Sequence, residues 1–161
     1  MVPGAAGAAL TYGASSVLLV GQFGLPPSDI VAGGRIATGG AGGDTIDQSA
    51  ATRPVTADGL AGADIIRGGG ADDWITGGAS ADDLTGGAGR DSFVFATGSG
   101  ADIIRDFVPG LDKIVLRGVD PASLTANWYG SSGIQLHFGS AGDTIALPDI
   151  TALVKGSIVL A

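Results

Sequence analysis

Cysteine and glutamate are both absent from this 161-residue chain, and histidine occurs once. Without cysteine there is no disulfide scaffold, so a form living outside the cell needs another device to hold it together. All 16 acidic residues are therefore aspartate, against 8 Lys and Arg, for a net charge of −8. Glutamate suits helices, whereas aspartate suits turns, where it bonds to nearby backbone. The acidity thus belongs to loops and not to a charged helical face. So few basic residues argue against a nucleic-acid partner, which needs a positive surface. One His, no Cys and no Glu leave few acid–base or nucleophile constellations to assemble. His-Glu-x-x-His, Gly-x-Ser-x-Gly, a Walker loop and Gly-x-Gly-x-x-Gly are all missing, so the chain is not expected to be an enzyme. Residues 1–28 carry no charge, and the first basic residue is Arg35. A secretory leader would start with Lys or Arg, and the apolar run is too diluted by Gly, Ala and Ser to read as a transmembrane span.

What is abundant is glycine, 30 residues, beside an apolar share of 45%. A disordered Gly-rich tract would lack those Ile, Leu and Val residues. Read in steps of nine from Gly59, four copies of one pattern align: Gly59–Arg67, Gly68–Thr76, Gly77–Thr85 and Gly86–Val94. Position six is Asp in each (Asp64, Asp73, Asp82, Asp91), and position eight is large and apolar (Ile66, Ile75, Leu84, Phe93). Two further copies stand out of phase, Gly39–Asp47 with Asp44 and Ile46, and Thr97–Arg105 with Asp102 and Ile104. Between the first of these and Gly59 lies a nonapeptide's worth of sequence plus two residues, including Arg53 and Pro54. The glycines permit tight turns and close backbone approach. The last three residues of each copy read as a short strand with its middle side chain pointing inward.

This pattern, Gly-Gly-x-Gly-x-Asp-x-U-x with U a large apolar residue, resembles the RTX calcium-binding repeat. The resemblance implies an all-β fold, a parallel β-roll in which two nonapeptides complete one coil and each copy stacks on the next but one. Ile66 then lies beside Leu84 and Ile75 beside Phe93, and the same stacking sets Asp64 by Asp82 and Asp73 by Asp91. Carboxylates about 5 Å apart repel by roughly 1–3 kcal/mol. A hard divalent cation reverses that sign. Calcium takes six to eight oxygens in flexible geometry, whereas magnesium demands a tight octahedron, and zinc or iron would want His or Cys. Candidate ligands are Asp44, Asp64, Asp73, Asp82, Asp91 and Asp102, with turn carbonyls at the first-position glycines Gly59, Gly68, Gly77 and Gly86. Asp47, Asp58, Asp72 and Asp83 read as solvated surface charges. Trp74 faces away from Ile75 and is expected to lie partly buried against a neighbour.

Downstream, Asp102-Ile-Ile-Arg-Asp106-Phe-Val-Pro-Gly110-Leu-Asp112-Lys-Ile114 resembles the segment that closes the roll in serralysin-type secreted proteases, with Val115 where that family often has another Asp. The resemblance implies a further calcium held by Asp102, Asp106 and Asp112; turn capping is the alternative. The expected organisation is an apolar N-terminal segment (1–38), a roll (39–105) and a β-rich cap (106–161). Strands are expected at Lys113–Leu116, Gly133–Phe138, Thr144–Leu147 and Ser157–Leu160, with His137 on a solvent-facing position. The resemblance further implies export through a bacterial type I exporter and folding on extracellular calcium, with the product secreted or at the cell surface. Two roles fit: a complete short protein that self-assembles through its N-terminal segment, where Ser16–Phe23 is strongly β-prone, as a surface-layer, matrix or filament subunit; or the non-catalytic C-terminal export and folding module of a larger secreted enzyme or adhesin.

Overall fold

The computed structural model describes residues 10–12, 15–17, 36–139 and 142–161. Strands β1 (Leu10–Tyr12) and β2 (Ser15–Val17) form a two-stranded antiparallel pair. Of the β-prone run Ser16–Phe23, only residues 16 and 17 fall among the described residues.

Every nonapeptide copy yields one three-residue strand or the start of a longer one. With three strands from outside the copies (β3, β5 and β11), the roll strands in chain order are β3 (Ile36–Thr38), β4 (Thr45–Asp47), β5 (Thr56–Asp58), β6 (Ile65–Arg67), β7 (Trp74–Thr76), β8 (Asp83–Thr85), β9 (Ser92–Ala96), β10 (Ala101–Ile104) and β11 (Lys113–Arg117). Successive strands fall on opposite walls. One parallel wall runs β3, β5, β7, β9, β11 and the other β4, β6, β8, β10. The register is that of the two-copy coil: Ile66 pairs with Leu84 and Ile75 with Phe93. Where two residues are inserted the wall absorbs them, and Ile46 still pairs with Ile66. The roll begins at β3, inside the segment assigned on sequence grounds to an N-terminal appendage, and the stretch containing Arg53 and Pro54 closes a coil as β5.

The inward residues of both walls meet in a thin core. Ile46, Ile66, Leu84 and Ile104 stack along one wall, and Ala37, Ala57, Ile75, Phe93 and Ile114 along the other, all fully buried. Outward neighbours on the same strands are mostly exposed, so the pattern is that of a sheet buried on one face.

The C-terminal residues finish the stack. A 3-10 turn (Pro121–Ser123) leads into β12 (Thr125–Tyr129), β13 (Gly133–Phe138), β14 (Asp143–Leu147) and β15 (Ile158–Leu160). β14 adds to β10 in parallel, β13 and β12 follow it antiparallel, and β15 adds to β11. The result is a seven-stranded and a six-stranded sheet. Leu136, Phe138, Ile145 and Leu147 extend the core over the last coil, which covers the apolar end that a repeat stack would otherwise expose. His137 lies on the outward side of β13 with its Nε2 3.3 Å from Asn127 Nδ2. Trp74 sits outward as expected, with the Arg117 guanidinium 5.4 Å from its ring centroid, a cation–π distance. No helix among the described residues is long and apolar enough to cross a membrane.

Candidate metal centre

The turns between strands bring the sixth-position aspartates into two columns, one along each edge of the roll. Asp64, Asp73, Asp82, Asp91, Asp102 and Asp112 are all buried, an unusual state for a carboxylate without a counter-charge. One oxygen of each is held the same way. Asp64 Oδ1 accepts from the Asp44 N–H (2.7 Å), Asp82 Oδ1 from Asp64 (2.8 Å) and Asp102 Oδ1 from Asp82 (2.9 Å). On the other edge Asp91 Oδ1 accepts from Asp73 (2.9 Å) and Asp112 Oδ1 from Asp91 (3.0 Å). Each aspartate thus locks its coil to the one below.

The second oxygen is the informative one. Oδ2 of Asp64, Asp82 and Asp102 is buried with no hydrogen-bond partner. Such orphaned polar atoms cost on the order of 1–3 kcal/mol, more for charged groups. Beside Asp64 Oδ2 lies a backbone carbonyl oxygen, and the same pairing of carboxylate and carbonyl oxygen recurs at Asp73 and Asp44. A Cβ placed on Gly59 would overlap both Asp64 Oδ2 and the Gly77 carbonyl oxygen. One on Gly68 would lie 2.5 Å from Asp73 Oδ2 and against the Gly86 carbonyl, and one on Gly39 would lie 2.7 Å from Asp44 Oδ2 and 2.6 Å from the Gly59 carbonyl. The first-position glycines therefore clear a space bordered by one carboxylate oxygen and one carbonyl oxygen from the neighbouring coil.

Among the described residues no Lys, Arg or His forms an ion pair with these groups. The two ion pairs among the described residues, Arg67–Asp47 and Arg105–Asp83, lie on the outer surface of the roll. Burial first, and neighbouring carboxylates after it, push the Asp82 and Asp91 carboxyls up to about 6 and the Asp102 carboxyl up to about 8. Asp64 and Asp112 are raised for the same first cause. Asp102 is the extreme because the cap shifts register there: Ile145 pairs with it in β14, so apolar surface closes the column.

These features fit calcium. The donors are hard oxygens, and among the described residues no three His, Cys, Asp or Glu side chains gather at one point. Each site must draw the rest of its ligands from backbone carbonyls, which calcium accepts and zinc does not favour. Aspartates of successive coils joined N–H to Oδ1, each pair a candidate calcium space, occur among the described residues at Asp44/Asp64, Asp64/Asp82 and Asp82/Asp102 on one edge and at Asp73/Asp91 and Asp91/Asp112 on the other, five in all. The second column stops where sequence and pattern diverge. Val55 holds the sixth position of the degenerate coil, its N–H donating to Asp73 Oδ1 (2.8 Å), while Asp73 Oδ2 accepts from the Gly69 N–H (2.6 Å).

Asp106 does not sit in a column. Its Oδ1 and Oδ2 accept from the Gly86 and Gly87 N–H groups (2.9 and 2.8 Å), which is capping of the last turn. Asp143 does the same on the other edge, accepting from Gly98 and Gly100 (both 2.9 Å) while buried. Sequence reasoning passed over Asp143, although Gly142-Asp-Thr-Ile145 repeats the string Gly43-Asp-Thr-Ile46. The surface aspartates serve local roles: Asp47, Asp58 and Asp72 accept from the N–H groups of Ser49, Leu60 and Arg90.

A pH dependence follows. Aspartate carboxyls whose folded values lie above their unfolded ones stabilise the metal-free roll below about pH 4. That contribution is lost as pH rises through about 6 for Asp82 and Asp91 and about 8 for Asp102. Calcium-stripped protein should therefore show more β structure by circular dichroism at pH 5 than at pH 8, the reverse of ordinary acid denaturation. A flat profile, or loss of β structure on acidification, would contradict the burial of these groups.

Residues 58–93 match the family model for the RTX calcium-binding nonapeptide repeat (4 copies). Comparison with curated proteins finds no match. Among solved structures, the extracellular lipase LipA from Serratia marcescens is similar at 26% identity and a TM-score of 0.64, over 80% of this chain but only 21% of the lipase chain. The AlgE6R3 subunit of the Azotobacter vinelandii mannuronan C5-epimerase is similar at 26% identity and a TM-score of 0.57, over 74% of this chain and 78% of that one.

Proposed function

We propose that this chain, an RTX repeat protein whose β-roll binds calcium, is a unit that stays unfolded at cytosolic calcium levels and folds once outside the cell. The observation that carries the reading is the set of buried, unpartnered Oδ2 atoms of Asp64, Asp82 and Asp102. They oppose folding until a cation joins them to the carbonyls beside them. Extracellular modules bind calcium at about 10⁻⁴–10⁻³ M, which separates the two compartments. Passage through a type I exporter requires an unfolded chain, and the buried like charges supply one.

Within that role we infer a self-assembling subunit of a surface layer, matrix or filament, joined through the charge-free N-terminal segment, residues 1–28. The support is compositional: residues 1–28 carry no charge in a chain of net charge −8. A second reading, an export and folding module of a larger secreted protein, draws support from the likeness to AlgE6R3, which runs over most of both chains. Light scattering of the full chain and of a chain lacking residues 1–28, both in millimolar calcium, separates them. Assembly into large species by the full chain alone supports the first; equal behaviour of the two chains supports the second. Binding without chemistry is all this reading asks of the roll; the lipase and epimerase activities belong to those proteins.

A further inference from the structure

The seven-stranded sheet has one strand more than the six-stranded sheet, and β12 is the strand at its C-terminal end. All five of its residues are exposed. Ala126 and Trp128 pair with Leu136 and Ile134 of β13, so they share the face that elsewhere forms the core. Yet Trp128 is 70% exposed. A hollow beside it is lined by Ala126, Asn127, Trp128, Ile134 and Thr151.

We propose that β12 is a dimerisation edge whose partner is β12 of a second copy, added antiparallel about a twofold axis through Asn127. Three observations select that occupant. First, β12 ends the seven-stranded sheet, and among the described residues no strand pairs with its outer edge; such edges accept a further strand by backbone hydrogen bonding. Second, residues 125–138 contain no Asp, Lys or Arg. In a chain of net charge −8, this uncharged hairpin lets two copies meet without setting its own carboxylates against each other, and it lacks the charges that usually guard an edge. Third, the strand is self-complementary. An antiparallel twofold at Asn127 sets each Trp128 opposite the other copy's Ala126, and only a small residue there leaves the hollow open for an indole. The same contact is made twice, as a closed twofold requires.

This interface closes on itself and gives dimers, unlike growth through the N-terminal segment. It needs the folded cap and uses none of the calcium-site residues, so its failure is separable from failure of the calcium reading. Sedimentation equilibrium of the full chain in millimolar calcium, with the β spectrum checked in every sample, is the test. The wild type is expected to show a monomer–dimer step. Trp128→Ala and Ala126→Asp are each expected to raise its dissociation constant by roughly thirtyfold or more, as for a buried aromatic anchor, whereas Trp74→Phe leaves it unchanged. A folded wild type that stays monomeric at every concentration would overturn the proposal; that is the outcome if another part of the same chain covers β12. Dimers that persist equally in both β12 variants would overturn it as well.

Discussion

Removing calcium at neutral pH is expected to abolish the roll, taking the circular dichroism from a β spectrum to that of a largely unfolded chain. The magnitudes decide this. Each of the five stacked aspartate pairs among the described residues either sets two carboxylates about 5 Å apart, a repulsion of roughly 1–3 kcal/mol, or, as burial does for Asp102 with its value of about 8, holds a carboxyl protonated that the unfolded chain would ionise, which opposes folding as well. Together they rival the whole stability of an ordinary domain, about 5–15 kcal/mol. The core is too thin to resist, because each three-residue strand from β3 to β8 adds a single inward side chain to its wall. Adding millimolar calcium should restore the β spectrum, and magnesium at the same concentration should not, because it holds its waters and resists carbonyl-rich, irregular shells. A β spectrum of equal intensity in calcium-stripped protein at neutral pH would show that the buried carboxylates are tolerated without a cation.

The next largest effect is expected from one methyl group. In Gly59→Ala the new Cβ would overlap Asp64 Oδ2 and the Gly77 carbonyl oxygen at once. Neither can retreat, because Asp64 Oδ1 holds the Asp44 N–H and Gly77 begins the next coil of that column. Overpacking of this kind costs about 1–3 kcal/mol, and the oxygens displaced are those offered to the cation, so the calcium midpoint for folding should rise well beyond tenfold. Gly42→Ala is the control within the same motif: its Cβ would meet nothing within 4 Å, and the midpoint should stay within the small range of neutral surface changes. Similar behaviour of the two variants would mean that the first-position glycines serve turn formation alone and border no ligand space.

The repeat was legible because each of its constraints is local and strict. Asp at position six and a large apolar residue at position eight leave one face for the core and one edge for the carboxylates. The coil of two copies, the pairing of Ile66 with Leu84 and the outward setting of Trp74 follow from that phase, and the outward setting of His137 follows from the alternation of Ile134, Leu136 and Phe138 along β13. Legibility failed where function and pattern separate. Val55 and Ala57 keep a coil without the motif, since backbone pairing to β7 suffices to hold it. Asp106 carries a motif-like position but spends both oxygens on Gly86 and Gly87, which only the three-dimensional closing of the stack reveals. Asp143 was hidden by the 40 residues that separate it from Asp102, although it meets Gly98 and Gly100 in space. β12 gave no signal at all: exposed on both faces, Thr125–Tyr129 has no reason to alternate.

Calorimetric titration of calcium into the wild type, Asp82→Ala and Asp83→Ala tests the central claim most directly. Asp82 borders two spaces, shared with Asp64 and with Asp102, whereas its neighbour Asp83 points outward into a bidentate pair with Arg105. The wild type is expected to bind about as many ions as there are two-aspartate spaces. Asp82→Ala is expected to lose the two it borders and to shift the folding midpoint to higher calcium, while Asp83→Ala keeps both the count and the midpoint. Equal losses in the two variants, or an unchanged count in Asp82→Ala, would contradict the assignment of the aspartate columns as the calcium sites.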